Sequence, residues 1–243
     1  MTTQKKAIVL GATSGIGLEV VKQLSSRGWN VGVAGRRIER LKEIEDSIEG
    51  VTAFEQIDVT KDDASHKLLT LIEKMGGIDL YFHSSGIGFQ NVSLQQDKEM
   101  DTVQTNALGF TRMMDTAFNY FAEKGGGHIA AISSIAGTKG LGAAPAYSAT
   151  KRFQRHYIES LSQLAHIRKL NILFTDIRPG FVTTDLIKDS DFPMQLHPTI
   201  VAKQIMKAIE KRKSVVTIDW RYRILVFFWK LIPRSMWVRM QIR

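Results

Sequence analysis

Three residues in the segment ISSIAGTKGLGAAPAYSATK could move a proton together: Ser134, Tyr147 thirteen positions later, and Lys151 four after that. A tyrosine and a lysine at (i, i+4) share one helical face, so the ammonium can stand beside the phenol. Nearby positive charge favours phenolate and is expected to bring Tyr147 below its usual value of about 10, making it a general acid/base. Ser134 is expected to hydrogen-bond the reacting oxygen, and Asn106, in TNALG, to orient Lys151, directly or through water. A Tyr-x-x-x-Lys pair alone often marks only a surface tyrosine above a solvated lysine. The order and spacing of the whole set carry the reading, which is proton transfer at a carbonyl or alcohol oxygen.

A second set of residues could hold a nucleotide. The apolar run AIVL passes directly into GATSGIG, which places Gly11, Gly15 and Gly17 at a turn and at the start of a helix. Glycine allows the tight turn and the close approach of backbone to a pyrophosphate, and free amides with the helix dipole favour its charge. The spacing is Gly-x-x-x-Gly-x-Gly, not the longer dinucleotide fingerprint. At the end of the next apolar run, Gly35 stands where an NAD-binding domain carries an acidic residue, and Arg36 and Arg37 follow. An arginine there can pair bidentately with a 2′-phosphate. NADP(H) is therefore predicted over NAD(H), with Arg36 the favoured contact and Arg37 equally suited to beginning a solvated helix.

The elements that must position these residues are legible as alternation. Apolar runs at 7–10, 31–34, 51–54, 78–82, 128–132, 171–177 and 215–218 are short and continuously apolar, as parallel strands buried on both faces are. Stretches of helical period lie between them, at 17–27, 37–48, 61–75, 97–124, 145–168 and 198–211. The pattern predicts an α/β, doubly wound Rossmann sheet of about seven parallel strands with helices on both faces, and ligands beyond the carboxyl ends of the strands. One domain over residues 1–218 is expected, with 219–243 as a basic, amphipathic C-terminal extension.

Composition narrows the alternatives. A chain of 243 residues, 44% hydrophobic and 23% charged, is that of a globular protein. It has no cysteine, which excludes disulfides and thiolate chemistry, and its six histidines form no ligand pair of the HExxH kind, so no metal is expected. The net charge of +9 belongs to the end of the chain: residues 203–243 hold 11 Lys/Arg and 2 Asp/Glu, leaving 22 of each sign elsewhere. With a balanced body and no nucleic-acid-binding motif, a nucleic-acid partner is not expected. Four apolar residues before the first glycine are too few for a secretory signal, so cytoplasmic synthesis without export is expected.

GATSGIG, the Asp58-Val59 pair, TNALG, Ser134 with YSATK, and PGFVTT together resemble the short-chain dehydrogenase/reductase family over roughly residues 5–218. The resemblance implies that Gly11, Ser14, Ile16 and Gly17 line the pyrophosphate and ribose, Asp58 and Val59 the adenine, and Tyr147 and Lys151 the nicotinamide ribose. It implies that Pro179, Gly180, Val182 and Thr184 hold the carboxamide, and that the protein works as a homodimer or homotetramer on a small carbonyl or alcohol. Two departures stand out. His83-Ser84-Ser85-Gly86 replaces the usual Asn-Asn-Ala-Gly, with Ser85 and Gly86 retained as cofactor contacts, and Leu10 replaces a threonine. His83 is expected to be structural.

The segment LIKDSDFPMQLHP, with apolar Leu186, Ile187, Phe192 and Met194, is expected to cover the substrate, which favours a hydrophobic carbonyl compound. The final segment carries three of the four tryptophans; on a helical wheel Ile224, Leu225, Phe228, Leu231 and Ile232 form one side and Arg223 and Lys230 the other. Its longest uncharged run is far short of the ~20 residues that span a bilayer, and Pro233 should end the helix at Ile232. Peripheral contact with an anionic membrane surface, packing on the fold, and a subunit interface all suit it. Two further readings of the whole are a noncatalytic NADP(H)-binding regulatory or scaffold protein and a membrane-surface module; the intact Asn106, Ser134, Tyr147 and Lys151 set argues against the first, and a cofactor-dependent activity screen separates the second.

Overall fold

Each of the seven apolar runs forms a parallel strand. The computed structural model describes residues 4–184 and 192–242, so Leu186 and Ile187 lie outside the described residues. The strands are β1 (Lys6–Leu10), β2 (Asn30–Gly35), β3 (Val51–Gln56), β4 (Leu80–His83), β5 (Gly127–Ile132), β6 (Ile172–Arg178) and β7 (Val215–Thr217). Their order is β3-β2-β1-β4-β5-β6-β7. The winding reverses between β1 and β4, which opens a crevice at the carboxyl ends of these strands.

Helices cover both faces, which is why the strands read as unbroken apolar runs. One face packs α1 (Gly15–Ser25), α2 (Ile38–Ser47) and α7 (Pro198–Glu210) around Val20, Leu41 and Ile205. The other packs α3 (Ala64–Lys74), α5 (Phe110–Lys124) and α6 (Pro145–Ile167) around Leu68, Phe118 and Leu161. The long helix expected over 97–124 is α4 (Gln96–Val103) continued into α5 through a π-helical segment, Gln104–Gly109.

The C-terminal segment forms α8 (Trp220–Leu231) and α9 (Arg234–Trp237), with Pro233 between them as expected. Its faces differ from the single apolar side read on the wheel. Tyr222, Leu225, Val226 and Trp229 turn inward onto the first core, and Tyr222 is fully buried. Trp220, Ile224, Phe227, Phe228 and Leu231 turn outward, each about half exposed or more. The helix is apolar on two opposite sides, so hydrophobic periodicity alone could not say which stripe packs.

Candidate active site

The first strand ends in a turn that admits only glycine at its key points. Gly11 and Gly15 have left-handed φ angles of +84° and +55°, and a β-carbon on Gly17 would stand 2.1 Å from the Gly11 carbonyl oxygen. Helix α1 opens at Ser14, whose side chain makes no capping bond, and its first internal hydrogen bond runs from Leu18 N to Ser14 O. The amides of Gly15, Ile16 and Gly17 thus lie ahead of the helical ladder, the arrangement that receives phosphate. A β-carbon on Gly15 would meet the Thr184 methyl at 3.0 Å, so the end of PGFVTT lies over this turn.

Arg37 is organised on the same turn. It donates to Thr13 Oγ1 at 2.8 Å and to Ser14 Oγ at 2.8 Å. Arg36, exposed, lends its charge to Asp58 and its carbonyl to Gln56. A β-carbon on Gly35 would press on Thr13 Cγ2 at 3.1 Å, leaving little room for an acidic side chain there. Burial pushes the Asp58 carboxyl up, but hydrogen bonds from the Thr60 amide and hydroxyl and the Arg36 charge outweigh it and leave it below its ordinary value. Val59, beside it, is buried against Gly109.

The proton-transfer set converges at the ends of β4, β5 and β6. Lys151 Nζ stands 5.7 Å from the centre of the Tyr147 ring, and the Ser134 hydroxyl lies near enough to the phenol to favour its ionised form. Ser134 Oγ also receives the Ala136 amide at 3.1 Å and leans on Pro179 O. A β-carbon on Gly88 would stand 2.4 Å from Tyr147 Cδ2, so the chain after β4 packs directly on the ring. That cover corrects the expected acidity: burial raises the Tyr147 phenol above its ordinary value, with the Ser134 hydroxyl pulling the other way. Burial likewise pushes Lys151 down to about 8, opposed by the charge of buried Asp176. Both members of the pair are desolvated, which favours the neutral form of each, a fact no spacing rule could reveal.

Asn106 sits within the π-helical segment. Its side chain clamps the chain after β4, accepting from Ile87 N at 2.9 Å and donating to Ile87 O at 2.6 Å, and reaches Thr150 Oγ1 at 3.3 Å. The expected link to Lys151 runs through a residue that sequence reading passed over. Gln154, fully buried, accepts from Lys151 Nζ at 2.9 Å and donates to the Asn106 main-chain carbonyl at 2.9 Å. Its signal was a polar residue one turn beyond Lys151 on the same helical face. Lys151 also donates to Ile132 O at 3.1 Å. Also missed was the buried Asp176, bound by Ser133 and by Arg178 Nε at 2.6 Å.

His83 is fully buried in the second layer, with Nδ1 2.9 Å from Tyr81 Oη and its ring edge-on to Phe110. Burial and the Lys151 charge hold it down to about 3, the Ser85 backbone offsetting this only in part. It is neutral near pH 7. Ser84 N donates to Leu10 O at 2.8 Å, and Gly86 lies against Asn106 and Lys151. A surface cleft of about 470 Å³ lies along Gly137–Gly142 and contains none of Ser134, Tyr147 or Lys151. Among the described residues no His, Asp or Glu cluster could hold a metal ion.

Comparison with known proteins agrees with this architecture. A short chain dehydrogenase family profile matches residues 5–193. An uncharacterised oxidoreductase of Myxococcus xanthus is 32% identical over 240 residues, covering 96% of this chain and 94% of its own. One of Listeria monocytogenes is 32% identical over 195 residues, 77% of this chain and 79% of its own. Among solved structures, actinorhodin polyketide ketoreductase with NADPH superposes with a TM-score of 0.76 at 23% identity, over 90% of this chain and 97% of its own. The closed form of serine dehydrogenase complexed with NADP+ gives 0.78 at 24%, over 87% and 92%. The chain is an oxidoreductase with a Rossmann fold, and it belongs to the short-chain dehydrogenase family.

Proposed function

We propose that this protein is an NADP(H)-dependent enzyme that interconverts a carbonyl and an alcohol, with Tyr147 as the general acid/base. The observation that carries the reading is the meeting of the Tyr147 phenol, the Ser134 hydroxyl and the Lys151 ammonium at one end of the sheet. The turn fits the cofactor's phosphates: free amides at Gly15, Ile16 and Gly17, and a guanidinium, that of Arg37, already directed onto Ser14 and Thr13. Gly11, Ser14 and the Arg36–Arg37 pair would hold the phosphates, Asp58 and Val59 the adenine, and Ser85, Gly86, Pro179, Gly180, Val182 and Thr184 the nicotinamide side. NADPH-bound and NADP+-bound structural neighbours support the same choice of cofactor.

When bound, the cofactor supplies a hydride to the carbonyl carbon or takes one from the alcohol. Tyr147 holds the proton that passes to the carbonyl oxygen, and Ser134 steadies both oxygens by hydrogen bonding. Lys151 supplies the positive charge that compensates phenolate as the proton leaves. Asn106 acts through its carbonyl and Gln154 to hold that ammonium in place. Tyr147→Phe should lower kcat by about a thousandfold, within the usual range for a lost acid/base group, and leave the NADPH dissociation constant within a few-fold. Near-normal turnover of carbonyl substrates by this variant would overturn the assignment.

A separate observation favours self-association through the outer faces of two helices. The outer faces of α4 and α6 expose Met100, Val103, Phe153 and Leu164 among charges of both signs, a surface suited to a second copy of the chain.

A further inference from the structure

We infer that α8 and α9 seat the mouth of the active site on an anionic bilayer, and that the substrate is a carbonyl compound dissolved in the lipid phase. The inference rests on the carbonyl-reduction reading for the identity of the reacting group, and on the tail itself for the rest.

The outward stripe of α8 is continuous. Trp220, Ile224, Phe227, Phe228 and Leu231 follow i, i+4, i+7, i+8, i+11 and are 49–63% exposed, and Met236, Val238 and Met240 extend the apolar surface past Pro233. By helical position Arg221 borders the stripe on one side, and Arg223 and Lys230 on the other. Aromatic and aliphatic groups in the middle with long cationic side chains at both borders suit a helix lying in the headgroup region, where the cations reach up to lipid phosphates.

Charge selects among occupants. Residues 220–243 contain six Lys/Arg and no Asp or Glu. Arg221 is held by Asp219 at the start of α8, at 2.9 Å, and the remaining cations meet no acidic group within 220–243, so two copies of this face pressed together would bring like charges into contact, whereas α4 and α6 carry both signs. An anionic membrane would answer Arg223 and Lys230, the cations at the border of the stripe that Asp219 does not hold.

Position ties the surface to the chemistry. The segment is bolted to both chain segments that frame Ser134 and Tyr147. On the β5 side, Trp237 Nε1 donates to Gly140 O at 2.7 Å and Lys139 Nζ to Ile232 O at 2.7 Å. On the β6 side, Tyr222 Oη accepts from Phe181 N at 3.1 Å and donates to Met194 O at 2.9 Å, its ring filling the space beside Gly180. Phe181 stacks on Phe192 at 4.1 Å, and Met194 is 39% exposed, so the β6 lip is itself apolar. A bilayer under the outward stripe meets that lip, and an apolar substrate passes from lipid to Tyr147 without crossing water.

The full-length protein and the double variant Phe227→Glu/Phe228→Glu would be sedimented with vesicles of phosphatidylcholine alone or with phosphatidylglycerol added. NADPH oxidation would then be followed with a long-chain methyl ketone carried in the vesicles and with a short water-soluble ketone. The native protein should bind the anionic vesicles at least about tenfold better than the neutral ones and better than the variant does. Anionic vesicles should raise its turnover of the long ketone severalfold and leave the short one unchanged. Both proteins should turn over the short ketone equally, which shows that the variant is folded. Equal sedimentation of both proteins would overturn the membrane surface, as would a dimer of the native protein that the variant loses. Binding without any gain on the long ketone would overturn the substrate class. Vesicle binding with no reduction of either ketone would mark failure of the carbonyl reading and leave the membrane surface standing.

Discussion

The carboxamide oxygen of Gln154 accepts a hydrogen bond from the Lys151 ammonium at 2.9 Å, in a place closed to solvent. Its amide nitrogen carries the connection on to the Asn106 carbonyl, so a side chain fixed by the fold spans the gap between the two residues. A buried hydrogen bond to a charged group contributes about 1.5–3 kcal/mol. Gln154→Leu should therefore lower kcat/KM by roughly ten- to a hundredfold. Gln154→Glu, which sets a carboxylate beside the ammonium, should move the Lys151 inflection upward from about 8. A pH profile of kcat/KM measures this, and an inflection that stays where it was in Gln154→Glu would mean that Gln154 only fills space.

Arg37 is held by two hydroxyls of the glycine-rich turn, whereas Arg36 extends into solvent beside Asp58. Charged pairing with a phosphate is directional and strong. Removing it in Arg37→Ala should raise the KM for NADPH by about ten- to a hundredfold and change that for NADH by less than about threefold. Arg36→Ala should have the smaller effect. A ratio of kcat/KM values for the two cofactors that is unmoved in the double variant would remove the 2′-phosphate role from both.

Two buried histidines should make the fold acid-sensitive. His83 is held down to about 3 and His128 to about 4, each chiefly by burial, against an ordinary value near 6.5. In a folded chain both stay neutral as the pH drops below about 6.5, while the unfolded chain takes up both protons. Stability should fall between about pH 6.5 and 4, by up to about 1.4 kcal/mol per pH unit for each histidine. His83→Asn should flatten that slope in urea unfolding at pH 7, 6 and 5. An unchanged slope would show that His83 titrates normally.

Gly88 lies against the Tyr147 ring with no space for a methyl group. Overpacking by one carbon typically costs about 1–3 kcal/mol, and here it would displace the phenol. Gly88→Ala should reduce kcat by at least about tenfold while NADPH binding persists. Full activity with a normal melting temperature would show that the ring has somewhere else to go.

The strands were legible because burial on both faces leaves a run such as AIVL with no polar member to blur it, and β1 spans Lys6–Leu10. The positions of Tyr147 and Lys151 on one helical face followed from spacing alone. Three features were not legible, for separate reasons. The direction of the Tyr147 shift depends on the chain after β4 lying across its ring, a contact between residues about sixty apart in sequence. The bridge through Gln154 needs the π-helical segment that presents the Asn106 carbonyl, and no propensity marks such a segment. The packing side of α8 is hidden because apolar residues stand on both of its faces.

Tyr222 has a further bearing on how the protein can be handled. Its ring occupies the volume that Gly180 leaves empty, and its hydroxyl spans Phe181 and Met194. A chain cut at Trp220 to improve solubility would lose a keystone of the substrate lip together with its greasy exterior. Poor activity in such a truncation would therefore say nothing about lipids, and point changes on the outer stripe are the cleaner instrument.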